Sequence, residues 1–219
     1  MKYFLLSFDD GTVHDKRFVE LLNKYYVPCT FNLNSGLEDF VWQFEGNDVA
    51  RQHLADTVMQ YCGHEIASHT LHHPRLDLLP PPQLRREVEE DCRNLKQIFG
   101  VEEIGFGVPF TFCNEREIRI IRKFVRYIRL SEYASSFKLP QDPYHIPIHA
   151  LYNQSDVRER IADFAESELP VSLFVMAGHS YEFEVLDQWE YMEQLLQYIQ
   201  SFGFEIMTTM DFVNDYFGR

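Results

Sequence analysis

No CxxC pair occurs in this chain: its four cysteines, Cys29, Cys62, Cys92 and Cys113, stand 21 to 33 residues apart. That spacing argues against a thiolate zinc site, which draws two ligands from one short turn, and leaves buried free thiols as the expectation. Basic charge is scarce as well. Twenty Lys and Arg face 34 Asp and Glu, a net charge of −14, whereas nucleic acid and anionic membranes call for a basic surface. No membrane span is legible. The apolar run at the N-terminus, "YFLLSF" (3–8), ends at two acids, short of the roughly 7–15 apolar residues of a secretory core and the roughly 20 of a bilayer span. The expectation is a cytoplasmic protein. Repeats, low-complexity tracts and linkers are also missing, and the one proline cluster, "LPPPQ" (79–83), fits a loop entering a helix. With 45% apolar and 25% charged residues over 219 positions, the chain is expected to form one globular domain, 1–219.

What is present is alternation. Short apolar strands are predicted at 3–8, 29–34, 64–68, 104–109, 126–130, 145–150, 171–177 and 204–209. Helical periodicity fills the gaps: Phe18, Leu21, Leu22 and Tyr25 in one segment, and Met192, Leu195, Leu196 and Ile199 in another, fall on single helix faces. Strands alternating with helices predict an α/β protein whose parallel sheet is covered by helices. At this length a small, nearly closed (β/α) barrel, TIM-barrel-like, is the first choice, ahead of an open doubly wound sheet. In both, chemistry gathers at the carboxyl ends of the strands.

Three stretches pass that filter. "SFDDG" (7–11) ends the first strand with Asp9 and Asp10, two acids that repel and are costly to bury unpaired. As a helix cap they would be unremarkable. "HEIASHTLHH" (64–73) sets His69 and His73 four residues apart, which on a helix would turn both rings to one side. "SLFVMAGHSYEF" (172–183) places His179 just past a buried strand. Two histidines and a carboxylate form a metal-binding set. One of the two acids would complete it, leaving the other to take a proton from a water acidified by the ion. The residue pattern leaves open which acid does which. His179 suits a general acid.

"SFDDG", "HTLHH" (69–73), "GFGVPF" (105–110) and "GHSYEF" (178–183), in this order, resemble the motifs of the polysaccharide deacetylases, a carbohydrate esterase family that includes the nodulation-type chitooligosaccharide deacetylases. The likeness is greatest to short bacterial members without a leader. The resemblance implies a deformed seven-stranded (β/α) barrel. It implies a divalent metal, zinc above all with cobalt or nickel also serving, held by Asp10, His69 and His73. Asp9 would be the base and His179 the acid, with a backbone N–H at Phe110 on the oxyanion, so that acetate leaves an N-acetylated sugar.

The third motif departs from the family, which usually carries Arg where this chain has Gly107. That Arg would hold the base. Arg129, on the next predicted strand, is expected to pair with Asp9 instead. Pro109, Phe110, Asn34, His149 and Tyr181 are expected around the substrate. The implied partner is a carbohydrate or a small acyl amide, with neither nucleic acid nor membrane, and the sequence leaves homo-oligomerisation open. Two other readings remain on the same scaffold: a hydrolase of a non-sugar amide or cyclic imide, and a catalytically idle carbohydrate-binding relative.

Overall fold

The computed structural model describes residues 1–111 and 113–218. Its elements run β1 (Lys2–Asp9), α1 (Asp15–Lys24), β2 (Thr30–Leu33), β3 (Val41–Phe44), β4 (Asn47–Ala50), β5 (Glu65–Ser68), α2 (Pro81–Phe99), β6 (Gly105–Gly107) and α3 (Glu115–Ile121). They continue with β7 (Ile128–Tyr133), β8 (Ile146–Ile148), β9 (Ala150–Leu151), α4 (Val157–Glu166), β10 (Ser172–His179), α5 (Ser180–Val185), α6 (Trp189–Gln200), β11 (Glu205–Met207) and α7 (Thr209–Phe217). Among the described residues no helix is long and apolar enough to cross a membrane.

The main sheet is parallel, in the order β8-β7-β6-β5-β2-β1-β10-β9, with β11 beside the first half of β1. Its outermost strands, β8 and β9, are separated in the chain by His149 alone. The segment 146–151 therefore joins both edges of the sheet, and counted as one strand it gives the seven-stranded, nearly closed barrel. Two irregularities deform it. β11 pairs with β1 at Tyr3–Leu5 while β2 pairs only at Ser7–Asp9, and the β7–β8 register shifts between Arg129 and Tyr133.

Strand alternation sorts the core into two populations. Phe4, Leu6 and Phe8 of β1, with Phe174 and Met176 of β10, belong to the large cluster shared with the helices. Tyr3 and Leu5 of β1, with Leu173, Val175 and Ala177 of β10, Ile146 and Ile148, fill the barrel interior. Each fully buried large apolar side chain contributes about 1.5–3 kcal/mol. The interior columns climb towards the carboxyl rim and turn polar there. Tyr3, Leu5 and Ser7 lead to Asp9, Val175 and Ala177 lead to His179, and Tyr127 leads to Arg129.

The bottom of the barrel is plugged. Tyr127 lies where a side chain at Gly105 would stand, since a Cβ there would be 2.0 Å from its Cζ. Its hydroxyl donates to Glu65, 2.6 Å away, which also accepts from Thr30 and from the Met210 N–H. Helix α7 closes the floor, with Phe212 edge-on to Tyr3.

Three local expectations change. Residues 69–73 form no helix but an irregular loop in which Thr70 and His73 have positive φ. Arg129 does not end its strand: β7 runs on to Tyr133. The antiparallel hairpin β3–β4 was not foreseen, because its turn is Glu45-Gly46, both at positive φ, rather than the usual Asn-Gly or Asp-Gly.

Candidate active site

Parallel register brings the first group of residues to one level. Asp9 stands opposite His179 of β10 and Asn32 of β2, and Gly107 opposite Arg129. His69 follows β5 directly. Strand β1 gives way to a sharp turn at Asp10, φ 88°, a conformation rare outside glycine. His73 and Phe110 also have positive φ, and together these residues line a cleft of about 340 Å³. Backbone strain of this kind is held in place by the surrounding structure and concentrates at functional sites.

Within the cleft, Asp10, His69 and His73 converge. One donor atom from each lies within 4.8 Å of the others. His73 Nε2 is 3.5 Å and His69 Nε2 4.0 Å from Asp10 Oδ1. Donors around a four-coordinate zinc lie about 3.3 Å apart, so a small contraction would close the set on an ion. The chemistry of the donors fits one. His69 Nδ1 faces the Gly107 carbonyl at 2.8 Å, which fixes the proton on Nδ1 and leaves the Nε2 lone pair for the ion. Burial, outweighing the pull of the Asp10 carboxylate, keeps His69 well below its ordinary pKa and His73 below it as well, so both rings are neutral and ligand-ready. Burial would raise Asp10, but the Arg51 guanidinium first and the charged His179 ring next hold its carboxyl down and ionised.

Asp9 is arranged differently. Its Oδ1 accepts from Arg129 Nη2 at 2.5 Å and from Asn32 Nδ2 at 2.7 Å. Its Oδ2 is left facing His69 Nε2 at 3.9 Å. One oxygen is thus anchored and the other turned to the ligand set. Arg129 is buried inside the barrel, and Gly107 is what admits it: a Cβ at 107 would lie 2.7 Å from Arg129 Nη2 and 2.6 Å from Asn32. The missing side chain and the relocated one are register partners on adjacent strands. His179 Nε2 lies 3.9 Å from Asp10 Oδ2, and its Nδ1 3.3 Å from Glu182 Oε1. Burial would lower its pKa, but the Glu182 bond and the charges of Asp10, Glu182 and Asp9 prevail and raise it to about 9.

Other expected residues lie elsewhere. Phe110 and Tyr181 line the cleft, Phe110 half-exposed with its ring edge-on to His73 at 4.6 Å. Asn34 does not reach it. Its amide donates to the His69 and Thr70 carbonyls and braces the histidine loop from behind. His149 has the opposite strand parity to Ile146 and Ile148. It faces out of the barrel, stacked on Phe137 and Phe174, and accepts the Val175 N–H. Pro109 is not among the residues lining the cleft.

Two residues went unnoticed in the sequence. Asp91, buried on α2, accepts from Ser35, from Ser68 and from the His69 N–H. It sits in the apolar stripe Leu84–Val88–Leu95, and an acid there was a readable signal. Arg51 pairs with Asp10 Oδ1 at 2.9 Å, and nothing around it in the sequence marks it.

The family model described as Polysaccharide deacetylase matches residues 1–125. The chain belongs to the polysaccharide deacetylase family. Among solved structures, a carbohydrate esterase domain of a multidomain xylanase, from the hindgut metagenome of Trinervitermes trinervoides, is similar in fold. It is 18% identical with a TM-score of 0.64, covering 98% of this chain and 90% of that one. A family 4 carbohydrate esterase from Bacillus anthracis is 17% identical, TM-score 0.64, over 97% and 82%. A family 4 acetyl xylan esterase from Clostridium thermocellum, solved with a cobalt ion, is 18% identical, TM-score 0.61, over 97% and 90%. No curated protein matches the chain in sequence. These three solved structures share the fold of this chain. The Gly107–Arg129 arrangement is a property of this chain's own residues.

Proposed function

We propose that this polysaccharide deacetylase family member is a divalent-metal-dependent hydrolase that removes acetyl from an N-acetylated sugar. Asp10, His69 and His73 are the residues that would hold the ion. The observation that carries the reading is the convergence of their donor atoms within 4.8 Å, in a cleft that also presents the free oxygen of Asp9 and the ring of His179. When bound, the ion supplies Lewis-acid chemistry, acidifying water and polarising the acyl oxygen. Zinc suits the two-histidine, one-carboxylate set, and cobalt or nickel would fit it.

The chain's own groups do the rest. Asp9 Oδ2, with Oδ1 fixed by Arg129 and Asn32, accepts the proton of the attacking water. His179 holds a proton at Nε2 while Nδ1 is engaged by Glu182, and delivers it to the departing amine. A backbone N–H at Phe110 is the proposed donor to the developing oxyanion. Ile148, Leu151 and Ala177 give the cleft an apolar wall for the acyl methyl.

At about 340 Å³ the cleft is at the small end of ligand sites, about 300–1,000 Å³. That favours a short oligosaccharide, presented one residue at a time, over a long polymer lying in a groove. The same volume favours a second reading, hydrolysis of a small non-sugar amide or cyclic imide. Purified protein reloaded with zinc separates the two: acetate release from N-acetylated chitooligosaccharides supports the first, and ring opening of cyclic amides without acetate release supports the second.

A further inference from the structure

Arg51 is a buried cation on the very carboxylate that the ion would need. It follows the β3–β4 hairpin, and its backbone is stitched to the turn after β1. Val13 N–H donates to Ala50 O, Gln52 N–H to Gly11 O, and residues 12 and 51 form an isolated bridge. The side chain is 6% exposed. Its Nη2 donates to Asp10 Oδ1 at 2.9 Å, and its Nη1 donates to the Asp10 carbonyl and to Asn34 Oδ1. Asn34 in turn holds the His69 and Thr70 carbonyls. One guanidinium therefore joins the loop that bears Asp10 to the loop that bears the histidines. The Trp42 ring of the hairpin covers it at 5.2 Å, and Trp42 packs edge-on against Tyr181 of the cleft.

The charge count matters as much as the geometry. Asp9 is paired with Arg129 and Asp10 with Arg51, so the four buried charges cancel before any ion arrives. A divalent cation would enter with its charge uncompensated, beside a guanidinium that already shares the Asp10 oxygen nearest both histidines.

We propose that Arg51 is a positioning residue that fixes Asp10 and the histidine loop for the ion while its charge loosens the site's hold on a divalent cation. This rests on Asp10, His69 and His73 being the metal ligands. The geometry is set by two donor groups and the affinity by one positive charge, so charge and shape can be changed separately.

The test is the zinc dissociation constant, measured by competition with a chromophoric chelator, for the wild type, Arg51→Met and Arg51→Lys. Arg51→Met removes the charge at similar bulk. It is expected to bind zinc at least about tenfold more tightly, because a repulsion at near-contact distance is gone and Asp10 is left without a counter-cation. It is also expected to melt at a lower temperature without metal and to gain more from added zinc. Arg51→Lys keeps the charge but gives up the two-pronged hold on Asp10 and Asn34, and is expected to bind zinc no more tightly than the wild type. Unchanged or weaker zinc binding in Arg51→Met would overturn the proposal, as would a tenfold tightening in Arg51→Lys, since a merely structural arginine would leave affinity the same or lower it. If Arg51→Met does not fold, Arg51→Gln, which removes the charge and keeps a donor, takes its place: tighter zinc binding supports the proposal, and unchanged or weaker binding overturns it. A wild type that binds no zinc would instead overturn the metal reading itself.

Discussion

Replacing Arg129 with Met should separate holding the base from building the barrel. The guanidinium is 1% exposed and its partner Asp9 11%, with 2.5 Å between Nη2 and Oδ1. Removing one member of a buried pair strands the other and costs about 3–5 kcal/mol. For a chain of this size each kcal/mol moves the melting temperature by roughly 2–4 °C, so a fall of about 6–20 °C is expected. Asp9 would keep only the Asn32 bond. With the free oxygen no longer aimed, kcat should fall by about 10–100-fold, part of the ~10²–10⁴ that a positioned base supplies, with KM little changed. Gly107→Ala should do the same to a smaller degree, because its Cβ would stand 2.7 Å from Arg129 Nη2 and 2.6 Å from Asn32. The decisive variant moves the arginine back. Since 107 and 129 are register partners, Gly107→Arg combined with Arg129→Gly should recover at least about tenfold of the kcat that Arg129→Gly alone loses. The assay is acetate release by zinc-loaded protein, beside thermal melts of every variant. Full kcat in Arg129→Met, or a double variant no better than the single, would refute the idea that this arginine orients Asp9.

Asp9→Asn should bind zinc as the wild type does and lose about 10²–10⁴-fold in kcat; retained turnover would remove Asp9 from the role of base. His69→Ala should lose zinc binding by chelator competition while the barrel still melts cooperatively. Stability should depend on pH through the buried acids. Burial, outweighing their hydrogen bonds, raises Glu65 and Asp15 to about 7 and Asp91 to about 6. An acid whose folded pKa lies above its unfolded value, near ~4, stabilises fully below that value and loses the contribution as pH rises through the folded pKa. The urea midpoint should therefore fall between about pH 4 and 7, and Glu65→Gln, which cannot ionise, should flatten that slope; an unchanged slope would show that Glu65 does not titrate there.

The strands were legible because each carries an apolar run bounded by turn residues, and their rim because Asp9, His69 and His179 each follow such a run. Parity, which decides what faces the cleft, was not. His149 and Ile148 are neighbours in an apolar stretch, and only the pairing of 146–151 with both edges of the sheet turns one ring out and the other side chain in. The spacing of His69 and His73 suggested a helix, yet the same two rings meet across a loop at 4.9 Å, because Asn34 and Asp91 brace the backbone from other elements. Arg129 could be guessed from the gap at Gly107, a local contradiction with a neighbouring remedy. Arg51 could not. It reaches Asp10 across 41 residues through a hairpin whose turn carries no strong signal.

The proposed metal centre on Asp10, His69 and His73 would drive deacetylation. It is tested most directly by measuring bound zinc and acetate release on one preparation, stripped with chelator and then titrated with zinc. One zinc per chain is expected, with acetate release from N-acetylated chitooligosaccharides rising in step with occupancy and both lost in His69→Ala. Full acetate release from stripped protein, or an unaltered zinc stoichiometry in His69→Ala, would contradict it.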